Sequence, residues 1–111
     1  MNINEEVRGN VCIISLDGRL DNESTQGFQE RISSIIDGGQ SRIVLDLGKL
    51  EYISSVGLRA FLLASKKLKP LNGKLVLAQL QDHIKEVLDI AGFSSLFPSY
   101  PTVDEAVQNA G

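Results

Sequence analysis

The chain has 111 residues, 42% of them apolar and 23% charged, which is enough for one globular domain with little room for a second. Its formal net charge of −3, with no offsetting run of Lys or Arg, excludes electrostatic recruitment of nucleic acid. No apolar stretch approaches the roughly 18 residues of a membrane helix, and residues 1–6 lack the features of a signal peptide. A single cysteine excludes an internal disulfide and a cysteine-cluster metal site. We therefore expect a cytoplasmic domain over residues 1–111, without metal or cofactor.

The first third of the sequence predicts a β-hairpin followed by a helix. Residues 2–7 alternate in polarity, and residues 11–16 (VCIISL) form a continuous apolar run. The Gly9-Asn10 dipeptide between them is typical of a turn. The second strand is expected to stop at another turn dipeptide, Asp17-Gly18. From about residue 24 to 37 the apolar period becomes that of an amphipathic helix.

The rest of the sequence alternates buried-type strands with amphipathic helices. The predicted elements are strands at 42–47 and 74–78, helices at about 56–69 and 81–91, a short edge strand at 99–100, and a last helix from the capping box at Thr102. Strands separated by helices of this length pair in parallel through right-handed crossovers. The sequence therefore predicts a single α/β domain: a mixed sheet of four to five strands, opened by an antiparallel hairpin and packed by about four helices.

Few residues of the chain could perform catalysis. His83 is the only histidine, and its place in the first turn of a predicted helix favours a solvated side chain over a general base. Cys12 lies inside an apolar strand, where a small buried hydrophobe is the better interpretation. No glycine pattern matches a P-loop or a dinucleotide fingerprint. An enzyme that uses His83 and a nucleotide-binding domain are therefore the weaker hypotheses.

The most informative stretch is residues 45–61, LDLGKLEYISSVGLRAF, where a buried strand leads through a loop at 48–54 into a helix. Two hydroxyls, those of Ser54 and Ser55, lie at the start of that helix, where four backbone N–H groups lack partners. Helix capping explains one serine. The second hypothesis is that one serine accepts a phosphoryl group of about −1.5 to −2 charges. The helix terminus tolerates that charge, whereas a partner packed dry against it does not.

This sequence resembles the STAS domains (sulfate transporter and anti-sigma factor antagonist), most of all the free-standing bacterial anti-sigma factor antagonists. The likeness is carried by residues 18–21 (GRLD), 43–47 (IVLDL), 52–61 (YISSVGLRAF), 73–77 (GKLVL), 87–93 (VLDIAGF) and 103–107 (VDEAV). In the family the corner reads Asp-Ser-x-Gly-Leu, and the serine is phosphorylated. Ser55 matches that serine, while Ser54 replaces the aspartate. This departure removes a carboxylate and makes Ser54 a second, weaker candidate acceptor.

The resemblance implies a partner-switching protein that is a substrate and a ligand, not an enzyme. Its unmodified form would bind an anti-sigma factor that is also a GHKL-type serine kinase, phosphorylation from ATP would release it, and a PP2C-type phosphatase would reset it. The expected partner-binding residues are Asp21, Ser54, Ser55, Gly57, Leu58 and Arg59. A turn or cap explains Asp21 equally well, and solvation alone explains Arg59. The alternative is a constitutive STAS subunit of a transport or signalling complex, never phosphorylated. A monomer is expected, with self-association left open.

Overall fold

Five strands and four α-helices make up the structure, a computed structural model that describes residues 1–111. The strands are β1 (Asn2–Arg8), β2 (Val11–Leu20), β3 (Arg42–Ile53), β4 (Lys74–Ala78) and β5 (Ser99–Tyr100). The helices are α1 (Thr25–Asp37), α2 (Ser55–Leu68), α3 (Asp82–Ile90) and α4 (Val103–Ala110), with a short 3₁₀ turn at Lys69–Leu71 after α2. Every predicted helix and strand is present. No helix has the length and hydropathy that a membrane span requires.

The sheet has the strand order β1-β2-β3-β4-β5. The β1 and β2 strands form the predicted antiparallel hairpin, and each later strand pairs in parallel with the strand before it. Helices connect the parallel strands, as crossovers between parallel neighbours require. The prediction of a mixed α/β sheet with an N-terminal hairpin is therefore confirmed.

Two apolar clusters cover the two faces of the sheet. The larger cluster packs α1, α2 and α3 against one face, and within it the ring of Phe61 lies 5.6 Å from that of Phe28 and 6.3 Å from that of Phe97. The smaller cluster packs Ala106 and Ala110 of α4 against the opposite face. The alternation of side chains along each strand supplies both faces at once. The strands β2, β3 and β4 are thus buried on both faces over residues 11–14, 43–45 and 75–78, where the sequence is continuously apolar.

Two strands run farther than the sequence predicts. The β2 strand was expected to stop at Asp17-Gly18 but continues to Leu20, and β3 was expected to end at residue 47 but continues to Ile53. Gly18 has φ +117°, and the pairing of β2 with β3 shifts register on either side of it. These irregularities let the two strands stay paired to their ends, where Leu20 faces Ile53. The prediction of a loop at 48–54 was therefore wrong.

Candidate functional site

The paired ends of β2 and β3 bring the Asp21 loop and the serine corner together. The backbone N–H of Ser54 donates to the carbonyl oxygen of Leu20 at 2.9 Å. Asp21 follows Leu20 directly, and α2 begins immediately after Ser54. Residues distant in sequence therefore meet at one edge of the sheet, as the resemblance implied for the partner-binding surface.

The two adjacent serines have different environments. Ser54 is the N-cap of α2: its backbone is extended, its Oγ accepts the N–H of Gly57 at 3.1 Å, and the residue is only 9% exposed. Ser55 is the first residue of the helix and is exposed. Capping accounts for Ser54. The hydroxyl that remains open to solvent at this helix terminus belongs to Ser55.

The next three residues of α2 divide between core and surface. Gly57 is buried, and a Cβ there would lie 3.0 Å from side-chain atoms of Leu20 and Ile53, so glycine allows the first turn to sit close to the strand ends. Leu58 is 5% exposed and belongs to the larger apolar cluster. Arg59 is exposed. Gly57 and Leu58 therefore pack beneath the corner, while Ser55 and Arg59 are exposed to solvent.

The carboxylate of Asp21 organises the turn that precedes α1. Its Oδ1 accepts the backbone N–H groups of Ser24 at 2.9 Å and of Glu23 at 3.1 Å, and it also accepts the Ser24 hydroxyl at 3.0 Å. The Ser24 hydrogen bonds, from backbone first and side chain second, hold the pKa of Asp21 below its ordinary value of 3.8. The structure therefore gives Asp21 the role of organising this turn, one of the two roles expected for it.

The lowered pKa of Asp21 predicts a pH-dependent stability difference. In Asp21→Asn the side-chain oxygen still accepts the turn hydrogen bonds, but without charge. A carboxylate whose pKa falls on folding stabilises the fold above its unfolded pKa, and this contribution is lost as pH drops through the folded value. We expect wild type to exceed Asp21→Asn in unfolding free energy at neutral pH, with a gap that closes below about pH 4. Urea unfolding across that range measures it, and a gap independent of pH would contradict the assignment.

The surface beside the corner is acidic. A cavity of about 580 Å³ is lined by four carboxylates, those of Asp17, Asp21, Glu23 and Glu51, and by the guanidinium of Arg19. That guanidinium lies 4.3 Å from the ring centroid of Tyr52, which directs it over the aromatic face. The charged side chains that line this cavity are therefore mostly negative, and neither Ser54 nor Ser55 is among them.

Two residues of the site were missed by the sequence analysis. Gln81 donates from Nε2 to the carbonyl oxygens of Gly48 at 3.1 Å and Leu50 at 2.7 Å. His83 is exposed, as predicted, but its Nε2 also lies 2.7 Å from the carbonyl oxygen of Glu51. The only sequence signal was a pair of polar residues at the start of a helix, which is too common a feature to indicate contact with a distant strand.

The structure adds no arrangement typical of catalysis. Cys12 is buried, and burial raises the pKa of its thiol, which suits a small core residue and disfavours a nucleophile. No group of three or more His, Cys, Asp or Glu side chains is placed to hold a metal ion. What the serine corner offers is an exposed hydroxyl, that of Ser55, at a helix N-terminus.

Comparison with known proteins agrees with this fold. The family model of the STAS domain matches residues 2–106, and the chain belongs to the STAS domain family. It is 42% identical over 88 residues to the "Putative anti-sigma factor antagonist BtrV" of Bordetella bronchiseptica, covering 79% of this chain and 76% of that protein. The resemblance found in the sequence is therefore confirmed.

Solved structures share the fold at lower sequence identity. An anti-sigma factor antagonist from Mycobacterium paratuberculosis superposes with a TM-score of 0.89 at 23% identity, covering 98% of this chain and 92% of that one. The anti-sigma factor antagonist SpoIIAA superposes in its unphosphorylated form with a TM-score of 0.76 at 20% identity, covering 97% and 96%. The phosphorylated form of SpoIIAA, described as a Bacillus cell fate determinant, gives 0.77 at 20%, covering 99% and 100%. At these identities the likeness shows the fold.

Proposed function

We propose that this protein is an anti-sigma factor antagonist that switches partners by phosphorylation of Ser55. Unmodified, it binds an anti-sigma factor in the cytoplasm; phosphorylated, it is released. The observation that carries the proposal is the contrast between the two serines, because Ser54 is buried as a helix cap and Ser55 is exposed at the first position of α2. Membership of the STAS family and the printed function of the 42% identical relative support it.

The corner tolerates the modification itself. A phosphate on Ser55 lies at the positive end of α2, which favours it by about 0.3–1 kcal/mol. The hydroxyl faces solvent, so the added group displaces no core side chain. The fold therefore survives phosphorylation, and the switch acts on binding.

The partner does not tolerate it. A surface that packs against Ser55 without water would have to bury a dianion with no built counter-ion, which costs several kcal/mol. The carboxylates of Asp21, Glu23 and Glu51 line a cavity at the ends of β2 and β3, and Arg59 is the exposed cation on the first turns of α2. We propose that the partner is a GHKL-type serine kinase that serves as the anti-sigma factor. A PP2C-type phosphatase would restore the hydroxyl.

The test is intact mass after incubation with Mg-ATP and each GHKL-type serine kinase of the source genome. Wild type should gain one phosphate with one kinase, and Ser55→Ala should gain none. Ser54→Ala should still gain it, although loss of the helix cap lowers its unfolding free energy by about 1 kcal/mol. Phosphate located on Ser54, or no gain with any kinase, would contradict the proposal. The latter result would favour a constitutive STAS binding subunit.

A further inference from the structure

The end of β3 lacks a strand neighbour on one side. Pairing with β4 stops where Asp46 faces Ala78, whereas β3 continues to Ile53 and then delivers Ser54 and Ser55. On the other side β2 remains paired, but its register shifts twice over the same stretch, between Ser15 and Asp17 and again between Gly18 and Arg19. Beyond Asp46, β3 therefore pairs only with β2, and that pairing is irregular.

Side chains from the start of α3 take the place of the missing strand. Gln81, the N-cap residue of α3, donates to the carbonyl oxygens of Gly48 and Leu50 at 3.1 and 2.7 Å. His83 bonds the carbonyl oxygen of Glu51 at 2.7 Å. Because a carbonyl oxygen only accepts hydrogen bonds, Nε2 of His83 carries the proton and donates it. We call the side chains of Gln81 and His83 the α3 clamp.

The α3 clamp belongs to a helix end that is packed into the core. Ile84 and Leu88, on the inner face of α3, are each 1% exposed within the larger apolar cluster. The backbone carbonyl of Gln81 accepts the N–H groups of Ile84 at 3.1 Å and Lys85 at 2.9 Å. The two donor side chains therefore extend from a packed helix end, and they transmit its position to β3.

We propose that the α3 clamp positions Ser55 for phosphorylation. By holding residues 48–51, it fixes the direction in which β3 enters α2 and hence the placement of the Ser55 hydroxyl. Gln81 and His83 are positioning residues, because they act through the strand and do not touch the hydroxyl. This inference rests on the proposed function, which it extends by assigning two further residues to the same site.

The test uses variants that remove donors while keeping side-chain size. Gln81→Met and His83→Leu lose the clamp bonds, His83→Gln retains an amide donor, and Lys85→Met is a control on the same helix. Hydrogen–deuterium exchange is measured in peptides covering residues 48–56 and in α1. Losing one such hydrogen bond should speed exchange of residues 48–56 by about tenfold, with α1 unchanged. His83→Gln and Lys85→Met should exchange like wild type.

Phosphorylation kinetics with the kinase identified for wild type complete the test. We expect kcat for Ser55 to fall about tenfold in Gln81→Met and His83→Leu at unchanged KM, because misplacement affects the chemical step more than docking. Recovery of kcat in His83→Gln supports positioning. A wild-type kcat in both clamp variants overturns the inference and leaves the proposed function intact. Faster exchange throughout the chain, together with a lower Tm, does the same. Failure of wild type itself to be phosphorylated overturns the proposed function, whatever the exchange shows.

Discussion

Ser55→Asp is expected to weaken binding of the anti-sigma factor by about 30-fold or more, equivalent to about 2 kcal/mol or above. The substituted carboxylate places a charge at the exposed start of α2, where the partner must exclude water. Ser55→Ala adds no charge and should retain wild-type affinity while resisting release by the kinase. Isothermal titration calorimetry of the two variants against the same anti-sigma factor measures the difference.

The matched control is Gln108→Glu, which adds the same unit of charge at an exposed position of α4, on the opposite face of the sheet. Its affinity should equal that of wild type. Because the Ser55 side chain is solvent-facing, Ser55→Asp should also melt within about 4 °C of wild type, a shift of at most about 1 kcal/mol. Equal affinities of Ser55→Asp and Ser55→Ala would contradict the switch. A large drop in the Tm of Ser55→Asp would show that its loss of affinity comes from destabilised folding and not from the binding surface.

Gly73→Ala should destabilise the fold more than Ser55→Asp does. A Cβ at residue 73 would lie 2.5 Å from the backbone carbonyl oxygen of Ser41 and 3.0 Å from the side chain of Leu68. That carbonyl accepts the N–H of Lys74 at 2.9 Å, so moving it disturbs the first residue of β4. We expect a loss of about 2–3 kcal/mol, or a Tm lower by about 10 °C. Differential scanning calorimetry at neutral pH measures it.

Gly27→Ala is the matched substitution in open space. Gly27 lies within α1, and nothing is within 4 Å of the position that a Cβ would take. Alanine there reduces the conformational entropy of the unfolded chain and improves helix propensity. The unfolding free energy of the variant should therefore rise by about 0.5–1 kcal/mol. A Gly73→Ala protein as stable as wild type, beside a stabilised Gly27→Ala, would show that the Ser41 segment moves without cost.

The sequence predicted what depends on local pattern. Continuous apolar runs predicted the buried parts of β3 and β4. A change in the spacing of apolar residues to the helical period located α1 and α2. The pair of serines before a helical pattern also predicted that one of them caps, and Ser54 does so. Each of these features is determined by residues close together in the chain, which is why a single sequence is enough to find them.

What the sequence did not predict depends on distant partners. Gly48, Lys49 and Glu51 interrupt the apolar pattern of β3, yet the strand continues, because Leu50 and Ile53 are buried and β2 remains paired beside them. Likewise Asp17-Gly18 resembles a turn until the register shift within β2 is known. The α3 clamp depends on α3 docking beside β3 after β4 has ended, a contact that no local pattern encodes.

The order of strands has a consequence for how the protein is made. Each strand after β1 lies beside the strand that precedes it in the sequence, so every strand pairs with one that has already been synthesised. The parallel pairs nevertheless join residues far apart in sequence, such as Cys12 with Ile43 and Ile43 with Leu75, and pairing over such distances slows folding. Helix α4 follows all five strands in the sequence and covers Val44 and Val76 on the second face of the sheet. Before α4 is synthesised, the nascent chain therefore carries an uncovered apolar surface, and such transiently exposed surface is prone to aggregation.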